Sequence, residues 1–275
     1  MTVGGTGKTP LLIHLANDLK NQGRNPAILS RGYGQDEISL MREKCAGVPL
    51  AAGANRFAGA QELLKSNPVG VFLLDDGFQH WPLRRDLDIV LVDASAPFES
   101  GLLLPAGRLR EPWNSLGRAQ VAVLTRSHLV SRERKRELKR AIQELMPQGI
   151  VVAAEFQRKL IDAKSGGEIA WDSLQGKKVV AVSAIGNPQA FETELGLEGA
   201  VVFPLRFPDH HSYTKRDLNK IQKAVSISGG EIICTEKDWV KLKRWAAPML
   251  FVRLDVRFSG EDEARWQRAV RGIAG

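Results

Sequence analysis

Six residues near the amino terminus, Gly4, Gly5, Thr6, Gly7, Lys8 and Thr9, have the types and order that hold a nucleoside triphosphate. Glycines let successive backbone N–H groups converge on a phosphate, and a helix starting at once turns the positive end of its dipole to the same anion. The Lys8 ammonium then reaches the outer phosphates, and the Thr9 hydroxyl is a ligand for the accompanying divalent cation. ATP and Mg2+ are the expected ligands. The usual pattern opens on a glycine where this chain has Thr2, so the match is one residue short of complete.

Val71, Phe72, Leu73 and Leu74 form an apolar run that ends in Asp75 and Asp76, followed by Gly77, Phe78, Gln79 and His80. Carboxylates at the C-terminal end of a buried strand emerge where α/β proteins bind ligands, so Asp75 and Asp76 join Thr9 as candidate metal-side residues. The segment Arg31 to Glu37 follows another strand-like run and leaves the sheet at the same edge. Arg31 there could meet a phosphate and Asp36 could accept a proton, but on these residues alone a solvated loop describes the segment better. Further on stand Phe207, Pro208, Asp209, His210, His211, Ser212, Tyr213 and Thr214. Adjacent histidine side chains diverge and no second ligand pair is suitably spaced, which argues against zinc and leaves an acid/base or orienting role of one histidine beside plain structural hydrogen bonding.

The elements that must position these groups alternate short β-branched runs with longer helical patterns, the mark of a mostly parallel sheet with helices on its faces. Strands are expected near 27–30, 71–74, 89–92, 121–125, 179–183, 232–235 and 250–254. A helix after the phosphate loop carries Leu11, Leu12, Leu15 and Leu19 on one face and stops near Gly23. Another runs from Arg132 to Leu145, with Leu138, Ile142 and Leu145 inward and an arginine- and lysine-rich face outward, which reads first as a solvated face. Turn-rich composition at 164–167 and 175–176 marks a boundary. The expected division is a nucleotide-binding domain over 1–163, a linker over 164–176 and a smaller C-terminal α/β subdomain over 177–275. The expected fold class is α/β, P-loop NTPase-like. A phosphate loop hangs between a buried strand and its helix, and Gly4 lies almost at the first residue, so an upstream start supplying that strand is also expected.

Composition sets wide bounds. The 275 residues are 43% apolar and 25% charged, enough for one large core or two modest ones. Cys45 and Cys234 stand far apart without a CxxC spacing, so neither a disulfide framework nor a zinc site is indicated. No apolar stretch approaches the roughly 20 residues of a spanning helix, and no secretory leader is visible. A formal charge of +8 implies an anionic partner without choosing among phosphate, nucleic acid and lipid.

Taken together, seven segments resemble the tetraacyldisaccharide 4'-kinases of lipid A biosynthesis: TVGGTGKTP at 2–10, SRGYG at 30–34, DDGFQH at 75–80, PAGRLREP at 105–112, IGNP at 185–188, FPDHHSYT at 207–214 and TEKDWVKL at 235–242. The resemblance covers nearly the whole chain in the same order. It implies an ATP-dependent kinase acting on the 4'-hydroxyl of a membrane-embedded glycolipid, at the cytoplasmic face of an inner membrane, with no nucleic acid or partner protein involved. It assigns the phosphate cradle to Gly4 through Thr9 with Lys8 catalytic, metal-side chemistry to Thr9, Asp75 and Asp76, and the base to Asp36 working with His210. Arg31, Arg108 and Arg110 become phosphate or glycolipid contacts. Family members also carry a strand and an apolar anchoring helix before the phosphate loop, and an insertion where this chain has only Gln35 between Gly34 and Asp36.

Two other readings compete. Thr235, Glu236, Lys237 and Asp238 superficially resemble a guanine-reading element of a P-loop GTPase or metallochaperone, although Lys237 abuts Asp238 where a residue should intervene. A truncated, inactive homologue that still binds nucleotide is the second.

Overall fold

The computed structural model describes residues 6–32, 34–97, 101–107, 109–245 and 247–272, so Gly4, Gly5 and Arg108 lie outside the described residues. In chain order the elements are α1 (Lys8–Asn21), β1 (Pro26–Ser30), α2 (Gln35–Lys44), β2 (Leu50–Ala52), α3 (Arg56–Ser66), β3 (Val71–Leu74), β4 (Ile89–Asp93), β5 (Val121–Thr125), α4 (Arg132–Leu145), β6 (Ile150–Ala153), β7 (Glu155–Asp162), β8 (Glu168–Ile169), β9 (Lys178–Ser183), α5 (Pro188–Leu197), β10 (Val201–Arg206), α6 (Lys215–Ser228), β11 (Glu231–Thr235), α7 (Glu236–Leu242), β12 (Leu250–Arg257) and α8 (Gly260–Arg271). Among the described residues no helix is long and apolar enough to cross a membrane.

The chain divides into two compact units. Residues 1–33, 45–157 and 256–275 form the first, and 34–44 with 158–255 form the second. This differs from the expected 1–163, 164–176 and 177–275. The supposed linker opens with the turn between β7 and β8, which pair antiparallel through Leu160 and Ile169. Both strands belong to the sheet of the second unit. A Gly- and Ser-rich turn of a hairpin has the same composition as a linker, which is why sequence could not separate them.

In the first unit, two three-stranded sheets run in the orders β2-β1-β3 and β4-β5-β6, every pairing parallel. Strands β1 and β5 are buried at every position, as strands covered on both faces must be. Leu29 of β1 pairs with Leu74 of β3. That register brings Ser30 and Asp75, the next residue of each segment, to the same sheet edge. Helix α4 is capped by the Ser131 side chain, which accepts from the Arg134 N–H. Its Leu138 and Ile142 pack with Val92, Leu116, Leu124 and Val151, while Arg132, Arg134, Arg136 and Arg140 are exposed. The C-terminal α8 returns to this unit because Trp266 is fully buried, stacked on Phe258 at 4.5 Å. Lys139 to Asp262 at 2.6 Å and Gln267 to Asp18 at 3.1 Å tie it to α4 and α1.

The second unit is a six-stranded sheet in the order β10-β9-β11-β12-β7-β8. Alternation along β9 divides its side chains between two cores. Val180 and Val182 join Tyr213, Ile221 and Phe251, whereas Val179 and Ala181 join Leu160, Phe191 and Leu195. Helix α2 belongs here because α7 clamps it with charge: Lys237 donates to Glu37 at 2.8 Å, Lys44 pairs with Glu236 at 2.5 Å and Lys243 with Glu43 at 2.5 Å.

Candidate active site

In the first unit the described part of the phosphate loop enters α1 through Gly7, at φ 91°. A Cβ there would lie 2.6 Å from the Phe156 ring, so the position needs glycine for both its backbone angle and its space. Glycine supplies no side-chain cap, and the first N–H groups of α1 are left to whatever anion the loop holds. Replacing Gly7 by Ala is therefore expected to lower stability by about 1–3 kcal/mol and to weaken ATP binding. A denaturant melt and calorimetric titration with ATP would measure both, and unchanged values would refute the strained-turn account.

Lys8 and Thr9 follow on the first turn of α1. The Lys8 Nζ lies 3.4 Å from Asp76 Oδ1, and Arg110 Nη1 lies 2.5 Å from Asp76 Oδ2. Burial pushes the Asp76 carboxyl up, but Lys8 and Arg110 together pull it below the usual range. Asp75 instead accepts from the Ser30 hydroxyl at 3.1 Å. Arg56, buried on α3, donates to the Asp76 carbonyl at 3.4 Å and lies in the field of both aspartates. Ser30 opens the SRGYG segment, but nothing local in sequence marks Arg56, since a single buried polar residue carries no spacing.

Magnesium takes hard oxygen donors, one or two of them from protein and the rest from phosphate and water. Thr9 and Asp75 fit that requirement. Asp76 is engaged by the Lys8 and Arg110 cations. Among the described residues no cluster of three or more His, Cys, Asp or Glu side chains could bind a metal alone.

In the second unit Asp36 and His210 meet. His210 Nδ1 lies 2.8 Å from Asp36 Oδ1. The Asp36 side chain is 1% exposed and that of His210 is 37%. Burial pushes the Asp36 carboxyl up, but Lys237, the hydrogen bond from His210 and Lys241 outweigh it and leave Asp36 below the ordinary range. An ionised carboxylate only accepts, so Nδ1 carries the proton of this bond, while Nε2 lies 3.8 Å from Asp209 Oδ1. Two backbone features allow the approach. His210 has φ 59°, and Gly34, at φ 75°, would place a Cβ 3.1 Å from the imidazole.

The neighbouring His211 does different work. Its Nε2 lies 3.0 Å from Asp217 Oδ2, and its ring stacks on Phe207 at 5.1 Å. Asp217 is the capping partner of Thr214 at the start of α6, and the Thr214 hydroxyl followed by His211 holds its carboxyl far below the ordinary range. Asp238 is fully buried, accepting from Tyr213 Oη at 3.0 Å, the Ala184 N–H at 3.1 Å and Thr235 Oγ1 at 2.7 Å. A carboxylate so engaged cannot read a guanine base, which removes the sequence basis for the GTPase reading.

Comparison with known proteins shows the family. The sequence model of the family described as tetraacyldisaccharide-1-P 4'-kinase matches residues 1–273. A tetraacyldisaccharide 4'-kinase of Halothermothrix orenii is 37% identical over 89% of this chain and 73% of its own length. One from Syntrophobacter fumaroxidans is 36% identical over 98% of this chain and 76% of its own. The crystal structure of LpxK from Aquifex aeolicus in complex with ATP superposes with a TM-score of 0.71 at 28% identity, covering 100% of this chain and 86% of that one. The chain belongs to the tetraacyldisaccharide-1-P 4'-kinase family.

Proposed function

We propose that this protein transfers the γ-phosphoryl group of ATP to the 4'-hydroxyl of a tetraacyldisaccharide 1-phosphate, a step of lipid A biosynthesis. Gly4 through Thr9 cradle the triphosphate, with Lys8 countering charge on the outer phosphates. Thr9 and Asp75 would hold Mg2+, which would neutralise charge on the transferring group. Asp76 keeps Lys8 and Arg110 in place. The acceptor oxygen forms its bond to γ-phosphorus as the bond to the β,γ-bridging oxygen breaks and ADP leaves. The hydroxyl proton passes to His210 Nε2, and the buried Asp36 stabilises the imidazolium that results. Asp36 thus works through His210 rather than touching the acceptor.

The observation that carries this reading is the Asp36–His210 pair at 2.8 Å, with the carboxylate buried and the imidazole exposed. A sugar hydroxyl is a poor nucleophile, and such a pair gives it a base. A lipid acceptor implies work at a bilayer surface. We infer peripheral residence on the cytoplasmic face of an inner membrane, favoured by the net charge of +8 and the exposed arginines of α4.

The test is incubation with ATP, magnesium, detergent and the tetraacyldisaccharide 1-phosphate, followed by mass spectrometry. A product heavier by one phosphate at the 4'-position is expected. ATP binding with no such product would overturn the assignment.

A further inference from the structure

The segment TEKDWVKL contributes no group to the proposed chemistry, yet it forms β11's end and α7, against which Asp36 packs. Lys237 and Lys241 stand four residues apart, on one face of that helix. Lys241 Nζ lies 3.5 Å from Asp36 Oδ2 and 3.1 Å from Asp238 Oδ1; Lys237 Nζ lies 3.9 Å from the same Asp36 oxygen and 2.8 Å from Glu37. Neither Asp36 Oδ2 nor Lys241 Nζ makes a hydrogen bond, although both are buried. The carboxylate therefore divides its two oxygens, Oδ1 to the imidazole and Oδ2 to ammonium charge. Lys241 is itself fixed from behind by Asp238 and lies over the Tyr213 ring at 5.2 Å.

We propose that Lys237 and Lys241 are positioning residues of the Asp36–His210 dyad, turning Oδ1 to His210 and countering the carboxylate's charge from the Oδ2 side. This rests on the dyad reading above and assigns a task to the TEKD segment that replaces the guanine-reading one. The two lysines are not equivalent. Lys241 shares its charge between Asp36 and Asp238, while Lys237, kept charged by Glu37 and Asp36 against the effect of burial, shares its own with Glu37 and faces Asp209.

The sign of the effect on pH dependence follows from charge. The dyad must be free of its extra proton to accept one from the acceptor, so kcat falls on the acid side as the pair takes up a proton. The groups facing Asp36 are His210, Lys237 and Lys241, with Glu37, Asp209 and Asp238 behind the lysines. Removing one ammonium makes the pair hold a proton more tightly, and the acid limb moves to higher pH.

The experiment compares kcat against pH, with ATP and the disaccharide 1-phosphate, for the unmutated chain, Lys241→Met, Lys241→Arg, Lys237→Met and His210→Ala. Lys241→Met is expected to lower kcat about tenfold at neutral pH, to leave the Kd for ATP unchanged and to shift the acid limb upward. Lys241→Arg should restore the limb. Lys237→Met, at a side chain twice as exposed, carries the test should Lys241→Met fail to fold, with a shift of the same sign expected. A collapse of kcat in His210→Ala together with unmoved acid limbs in the foldable lysine variants would overturn the proposal and leave the dyad standing. Full turnover in His210→Ala would instead remove the dyad, and with it the proposal.

Discussion

Replacing Asp36 by Ala is expected to lower kcat about a thousandfold while leaving the Kd for ATP within about twofold. The split follows from where the side chain stands. Asp36 belongs to the second unit and contacts His210, Lys237 and Lys241, whereas the phosphate loop belongs to the first. Losing the carboxylate leaves His210 without the partner that fixes which ring nitrogen is protonated, and leaves the imidazolium uncompensated when it forms. Asp36→Asn is expected to fall nearly as far, because a neutral amide keeps the shape but not the charge. Both variants strand buried lysine charge, so thermal melts must accompany the kinetics. An Asp36→Ala protein that turns over normally but binds ATP poorly would contradict the assigned role.

Replacing Lys8 by Met should lower both quantities together. Turnover is expected to fall about a hundred- to a thousandfold, and the affinity for ATP to weaken with it, because one ammonium serves bound and transferring phosphates alike. The variant also releases Asp76 from one of its two cations. With Lys8 present, Lys8 and Arg110 hold that carboxyl below the ordinary range against burial, and the variant leaves Arg110 as the cation that remains beside it. Calorimetry with ATP and steady-state kinetics, run on Lys8→Met and Asp36→Ala side by side, separate nucleotide binding from proton removal. Equal Kd values in the two variants would refute that separation.

Sequence made some of this plain and hid the rest for physical reasons. Each of the seven expected strands exists, from β1 and β3 to β12, because buried β-branched runs announce themselves whatever their neighbours. Strand β10 was missed: Pro204 interrupts its apolar residues Val201, Val202, Phe203 and Leu205, and its positions are exposed or half-buried at the edge of its sheet. Strand β7 sets Phe156 among Glu155, Gln157, Arg158 and Lys159, which leaves no continuous apolar run at its start. Of the proposed site, the glycine-rich loop and the paired aspartates stand out in sequence because their chemistry demands a fixed spacing. The preference for His210 over His211 rested on resemblance alone, since adjacent residues of one type are indistinguishable until their partners are known. Asp36 and Asp217, far apart in sequence, supply those partners. Lys237 and Lys241 were visible as part of a motif, but the face they share is meaningful only once α2 lies against it.

That docking of α2 has a consequence for how the protein comes into being. The pairs Lys237–Glu37 and Lys243–Glu43 each join residues 200 positions apart. Loop closure over such a distance makes these contacts late and slow compared with local ones. On the ribosome, the helix bearing Asp36 is made early and waits without its clamp until α7 has emerged, so Asp36 and His210 are both synthesised before the lysines that face the carboxylate. On the proposed reading, the lysine support of the dyad is therefore among the last features the folding chain acquires.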